Sequence, residues 1–172
     1  MAELWDVYDK DRKLTGRTVE RGAKLREEDY HLVVQVWIRN AKGQWLISRR
    51  AETKSQPLKW EPTGGSVLAG ETSLQGALRE VKEELGISLD AEKAEFFRSF
   101  RRDKEASWEN PGFLDVWVFG AEIPISDVVL QEEETCDAKW AEKEEIIRMI
   151  EQDDMFVPMR QFPYYKELLK KY

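Results

Sequence analysis

Apolar positions along the chain follow two periods. From residue 74 to 85, Leu74, Ala77, Leu78, Val81 and Leu85 recur at intervals of one, three and four, which puts an apolar stripe on one face of a helix. Thr72, with Gln75 three residues on, offers a capping box at the start, and Gly86 just past the last apolar position offers a stop. Elsewhere the apolar residues alternate or run together. Residues 4–8 (LWDVY), 31–39 (HLVVQVWIR), 44–48, 94–100 and 113–119 (FLDVWVF) are rich in β-branched and aromatic side chains and predict strands. Residues 9–13 are a polar turn and the chain returns from 15–17, so the N-terminal piece through Gly22 predicts a hairpin laid against the main sheet. Residues 40–43 (NAKG) turn the chain between two further strands. Residues 142–151, with Ile146, Ile147 and Ile150, predict a helix that residues 155–158 break. Residues 164–171 predict a last helix with Tyr164, Tyr165, Leu168 and Leu169 in the core. Strands and helices without a βαβ rhythm indicate α+β, with no repeat, low-complexity tract or linker to divide the 172 residues.

The 74–85 helix carries an oddity on its other side. Glu80, Glu83 and Glu84 occupy an arc of roughly 100°. Like charges at this spacing repel by a few tenths of a kcal/mol per pair, and they lie near the helix C-terminus, where the macrodipole disfavours anions. Two explanations stand at this point. The acids form a solvated face paired with Arg79 and Lys82, or they bind a divalent cation, since oxygen ligands at this density suit Mg²⁺ or Mn²⁺ with substrate phosphates completing the shell.

Composition narrows the choice. A net charge of −7 argues against a general nucleic-acid binder, although a metal and a few Lys or Arg can reverse the field locally for a small phosphorylated ligand. No apolar run approaches the length of a membrane span, and residues 1–13 lack the apolar core of a signal peptide, so a cytoplasmic protein is expected. One cysteine, Cys136, excludes an internal disulfide. With His31 as the one histidine there is neither a Cys/His zinc cluster nor a persuasive Ser-His-Asp arrangement. What remains is carboxylate chemistry, and His31 reads as a residue at the start of a strand.

Residues 65–87 also resemble a family signature. Gly65, Glu71, Arg79, Glu80, Val81, Glu83, Glu84, Gly86 and Ile87 fill every specified position of the box of the Nudix hydrolases: Gly, five residues, Glu, seven residues, Arg-Glu-hydrophobic-x-Glu-Glu-x-Gly-hydrophobic. The resemblance implies a mixed β-sheet sandwiched between α-helices, here one domain over residues 1–172 with residues 1–30 as an N-terminal extension. That extension more weakly resembles the branch containing isopentenyl-diphosphate isomerases. The resemblance further implies metal-dependent hydrolysis of a small-molecule diphosphate. Mg²⁺ or Mn²⁺ would sit on Glu80, Glu83, Glu84 and the Gly65 carbonyl, with Glu80 as candidate base or ligand. Arg79 would orient the carboxylates, and Glu71 would brace the loop or reach metal through water. In the family a fourth acid often lies shortly before a tryptophan such as Trp140. Glu134 is the first choice, ahead of Glu132 and Glu133, against the alternative of a solvated acidic loop. Many relatives are dimers, and nothing in the sequence specifies an interface.

Several side residues stay open. Glu61 either touches the site or is a surface acid. Asp115 points with Phe113 and Trp117, toward a cleft or the wet face of a strand. Trp60, Trp108 and Trp117 lie nearest the expected cleft, although most of the seven tryptophans should be core. Arg49, Arg50, Lys54, Lys59, Arg101 and Arg102 are candidates to meet phosphates. Two competing readings are an isomerase, which lacks its expected cysteine after Trp60, and a non-catalytic nucleotide-sensing module, which would be expected to lose box carboxylates.

Overall fold

The computed structural model describes residues 2–103, 110–156 and 163–172. Its strands are β1 (Leu4–Tyr8), β2 (Leu14–Glu20), β3 (His31–Arg39), β4 (Trp45–Arg50), β5 (Trp60–Glu61), β6 (Thr63–Ser66), β7 (Ala94–Arg102), β8 (Gly112–Gly120) and β9 (Thr135–Ala141). Its helices are α1 (Ser73–Leu85), α2 (Lys143–Glu151) and α3 (Tyr165–Lys171). The main sheet runs β5-β4-β3-β8-β7, with β6 also on β3 and β9 on β4. β3 and β8 pair in parallel, from His31 opposite Gly112 to Arg39 opposite Gly120. The other pairings are antiparallel. β3 reads as a nearly continuous apolar run because it is covered on both faces.

The two coverings define two cores. On one face, Ala77, Val81 and Leu85 of α1 pack on Val34, Val36, Ile38, Phe113 and Phe119. On the other, Ile146 and Ile150 of α2 and Leu168 and Leu169 of α3 pack on Trp37, Ile47, Val116 and Val118. The expected sandwich of a mixed sheet between helices is the observed one. α1 begins at the predicted capping box: Thr72 accepts from the Gln75 amide and Gln75 accepts from the Thr72 amide, a cap whose loss typically costs about 1 kcal/mol. It ends at Gly86, whose φ of 70° is the left-handed conformation that terminates helices.

β1 and β2 form the expected hairpin as a separate two-stranded sheet. It is fastened at several points. Arg12, in its turn, donates to both oxygens of Asp115 at 2.6 and 2.5 Å. Trp5 stacks on His31 with ring centroids 4.5 Å apart. The Leu4 carbonyl and the Asp6 carboxylate accept from Ala69 and Gly70, both at 2.8 Å, in the loop leading to α1.

One expectation is corrected, and two segments take up strands that the sequence pattern does not mark. Asp115 shares a face with Phe113 and Trp117, as its alternation requires, but it faces neither cleft nor water. It is fully buried and neutralised by Arg12. Residues 135–141, to which the sequence pattern assigns no element, are strand β9, paired with β4 from Trp45 opposite Ala141 to Arg49 opposite Asp137; their charges conceal the alternation. Residues 60–66, to which the sequence pattern assigns no strand, contain β5 and β6, held by pairing to β4 and β3 and not by local propensity. Of residues 155–158, Met155 is fully buried and bridges Trp60, while 157–158 lie outside the described residues.

Candidate active site

Antiparallel pairing of β6 with β3 sets Gly65 opposite Val34, and α1 crosses the same region. Glu80 lies directly over Gly65: a Cβ there would stand 2.3 Å from the Glu80 carboxylate. Gly64 is equally constrained, since a Cβ would meet the Val34 carbonyl at 2.3 Å. The two glycines allow strand and helix to close around a cleft of about 540 Å³.

Six carboxylates line this cleft, Glu3, Glu61, Glu80, Glu83, Glu84 and Glu134. They arrive from the residue before β1, from β5, from α1 and from the loop before β9. Glu80 and Glu84 are buried. Burial, followed by the neighbouring Glu61, Glu80 and Glu134, pushes the Glu84 carboxyl well above the usual carboxylate range. Burial also raises Glu80 and Glu61, opposed by Arg79 and Arg50 respectively. Glu83 lies at the rim, its side chain 49% exposed. Glu132 and Glu133 are exposed, so the 132–134 run turns Glu134 toward the cleft. Glu61, left open by the sequence, is brought in by its register opposite Ser48.

Arg79 binds this region together. It donates to Glu71 at 2.8 and 3.1 Å, to the Ser66 carbonyl at 2.8 Å, to Glu80 at 3.0 Å and to Glu83 at 2.9 Å. Glu71 also accepts from the Leu68 amide at 2.9 Å. Burial alone would raise the Glu71 carboxyl, but the Arg79 and Leu68 hydrogen bonds outweigh it and hold the carboxyl below its usual range.

Among the described residues, no group of three or more His, Cys, Asp or Glu already converges to hold a metal ion. Several of the cleft acids are engaged in ion pairs. Glu61 accepts from Arg50 at 2.8 Å, Glu80 from Arg79, and Glu134 from Lys54. The donor set still suits a hard divalent cation. It is all oxygen, its acids disfavour one another's charge, and the Gly65 cradle leaves room where a side chain would collide with Glu80.

The basic candidates divide. Arg50, Lys54 and Arg102 line the cleft. Arg49, Lys59 and Arg101 do not, being engaged with Leu58, Asp153 and Asp103. Trp60 and Trp117 also lie outside the lining. Trp60 is flanked by Arg49 and Lys139, and Trp117 donates to Ser73 at 2.9 Å; Trp108 is outside the described residues. The aromatic group at the cleft is Phe156, with the Arg50 guanidinium 4.3 Å from its ring centroid. His31 also lines it. Burial and the nearby Arg102 hold His31 down to about 4, and its Nδ1 lies 2.9 Å from the Pro111 carbonyl. Sequence reasoning passed over Phe156, Arg21 and Glu3, which also reach the cleft. No local pattern marks them, because each depends on where a distant segment docks.

Comparison with known proteins agrees with this architecture. The family model of the NUDIX domain matches residues 29–162. An uncharacterized Nudix hydrolase of Listeria monocytogenes is 43% identical over 84% of this chain and 82% of its own length. An isopentenyl-diphosphate Delta-isomerase of Escherichia coli is 27% identical over 80% of this chain and 75% of its own. The crystal structure of DR0079 from Deinococcus radiodurans superposes with a TM-score of 0.74 at 23% identity, covering 98% of each chain, a likeness of fold. Fold, box and relatives agree: the chain belongs to the Nudix hydrolase family.

Proposed function

We propose that residues 1–172 act as one divalent-metal-dependent hydrolase domain that cleaves the diphosphate linkage of a nucleoside diphosphate or a nucleoside-diphosphate derivative. The observation carrying this reading is the meeting of Glu61, Glu80, Glu84 and Glu134 beside Gly65 in one cleft that also holds Arg50 and Lys54. Mg²⁺ or Mn²⁺ would be held by Glu80, Glu84, Glu134 and the Gly65 carbonyl, with Glu83 at the rim. Such an ion neutralises phosphate charge and lowers the pKa of a bound water.

The protein's own groups do the positioning on which phosphoryl transfer depends. Arg79 fixes Glu71, Glu80 and the Ser66 carbonyl in one network, so Glu80 is presented in a defined orientation. Lys54 and Arg50, now on Glu134 and Glu61, can exchange those carboxylates for phosphate oxygens as the acids take up the cation. Proton abstraction from the attacking water falls to one of the cleft glutamates, with Glu80 the candidate.

The relative named as an isomerase raises a second reading. Against it, the sole cysteine, Cys136, is exposed on β9 and absent from the cleft lining, and one histidine is available. The deciding experiment incubates wild type and Glu84→Gln with nucleoside di- and triphosphates, nucleotide sugars, dinucleotides and isopentenyl diphosphate, with Mg²⁺, Mn²⁺ or chelator. Metal-dependent cleavage of the diphosphate to phosphorylated products, lowered by orders of magnitude in the variant at unchanged fold, supports the proposal. Equal turnover in the variant removes Glu84 from the site. Deuterium exchange into an allylic product without phosphate release favours the isomerase, and ligand-induced stabilisation without turnover favours a sensing module.

A further inference from the structure

The cleft has one wall that the family match does not include. Residues 29–162 carry the match, yet Arg21 and Glu3, from the N-terminal hairpin, line the same cavity as Gly65, Glu80 and Glu84. The hairpin is not a loose appendage. Arg12 neutralises the buried Asp115, Trp5 stacks on His31, and Arg17 donates to both oxygens of Asp29 at 2.9 and 2.5 Å. The Arg21 amide is tied to the Glu3 carbonyl at 2.8 Å, which fixes where its side chain starts.

The side chain is presented for use. Its Nη1 donates to Glu3 at 2.5 Å, and this is its one ion pair among the described residues. That pair is about half exposed on both sides, and such pairs contribute little stability. The cation lies close enough to Glu80 and Glu134 that each favours its charged form, but Glu80 takes its hydrogen bond from Arg79. A guanidinium with free donors, held beside an acidic cluster that suits a metal, is placed to receive the oxygens of a planar or tetrahedral anion.

On the hydrolase reading given above, we infer that Arg21 is a substrate-binding residue, contributed by the hairpin, that binds a phosphoryl group of the diphosphate. Glu3 orients it in the free protein and releases it to the ligand.

The test compares wild type with Arg21→Ala, Arg21→Lys and Glu3→Ala. It measures steady-state kinetics on whichever panel compound wild type cleaves, calorimetric binding of inorganic pyrophosphate with Mg²⁺, and thermal melting. Arg21→Ala is expected to raise KM and the pyrophosphate Kd roughly tenfold, with kcat and melting temperature little changed. Arg21→Lys should recover part of the loss. Glu3→Ala, which keeps the cation, should bind as well as wild type or better. Unchanged KM and Kd in Arg21→Ala would overturn the inference. So would equal losses in Arg21→Ala and Glu3→Ala, which would make the pair merely structural, or a shift in Mg²⁺ dependence alone, which would make Arg21 a counter-ion to the glutamates. If wild type cleaves nothing, the hydrolase reading fails, and the pyrophosphate affinities still decide Arg21 by themselves.

Discussion

The carboxylate of Glu80 occupies the space that a side chain on Gly65 would need, the nearest carboxylate atoms lying 2.3 Å from where a Cβ would stand. The family glycine and the family glutamate are therefore one steric unit. Gly65→Ala should push Glu80 and β6 apart while leaving both cores intact. The expected outcome is Mg²⁺ or Mn²⁺ affinity weakened by about tenfold or more, as when groups that orient metal ligands are lost, with a circular-dichroism spectrum like wild type. Isothermal titration with metal checks it. Unaltered affinity would mean that Glu80 does not depend on this contact.

Arg79 serves four acceptors through a planar fork, a geometry lysine cannot copy. Arg79→Lys keeps the charge and should still lose activity by about 10²-fold, the scale of misplacing a positioned group. It should also lose about 1 kcal/mol of stability as partly buried hydrogen bonds go unmade. Parallel urea melts and turnover assays separate the two effects.

Arg12 and Asp115 make the hairpin's deepest attachment, and Asp115 is fully buried. Removing one partner of such a pair strands a charge. Arg12→Ala should cost about 3 kcal/mol, whereas Arg12→Ala combined with Asp115→Asn should cost less. Thermal denaturation of wild type and the two variants, with limited proteolysis to report hairpin release, tests this. Equal destabilisation in the single and double variants would deny the coupling.

His31 predicts an acid-side loss of stability. Burial, then the nearby Arg102, lowers its folded value from 6.5 to about 4, so the unfolded chain takes up the proton first. Its contribution is complete above about 6.5 and shrinks as pH falls toward 4, by up to about 3 kcal/mol. The groups facing it are Trp5, the Pro111 carbonyl and Arg102. His31→Asn should flatten the pH dependence of urea midpoints between pH 7 and 4. An unchanged slope would assign that dependence to other groups.

The amino-acid sequence by itself determined what is local. The box spacing, the Thr72–Gln75 cap, the Gly86 stop and the apolar stripe of α1 all arise within a few turns of one helix, where 3.6-residue geometry leaves little choice. The long strands followed from β-branched runs, and the sandwich was implied by the family resemblance of the box. Tertiary structure alone decided what depends on docking. Glu61 enters the cleft through its register on β4, Asp115 is buried because Arg12 arrives from residues far upstream, and Arg21, Glu3 and Phe156 line the cleft through segments that carry no motif. Periodicity records which side of an element is apolar; it holds no record of which other element will come to lie against it.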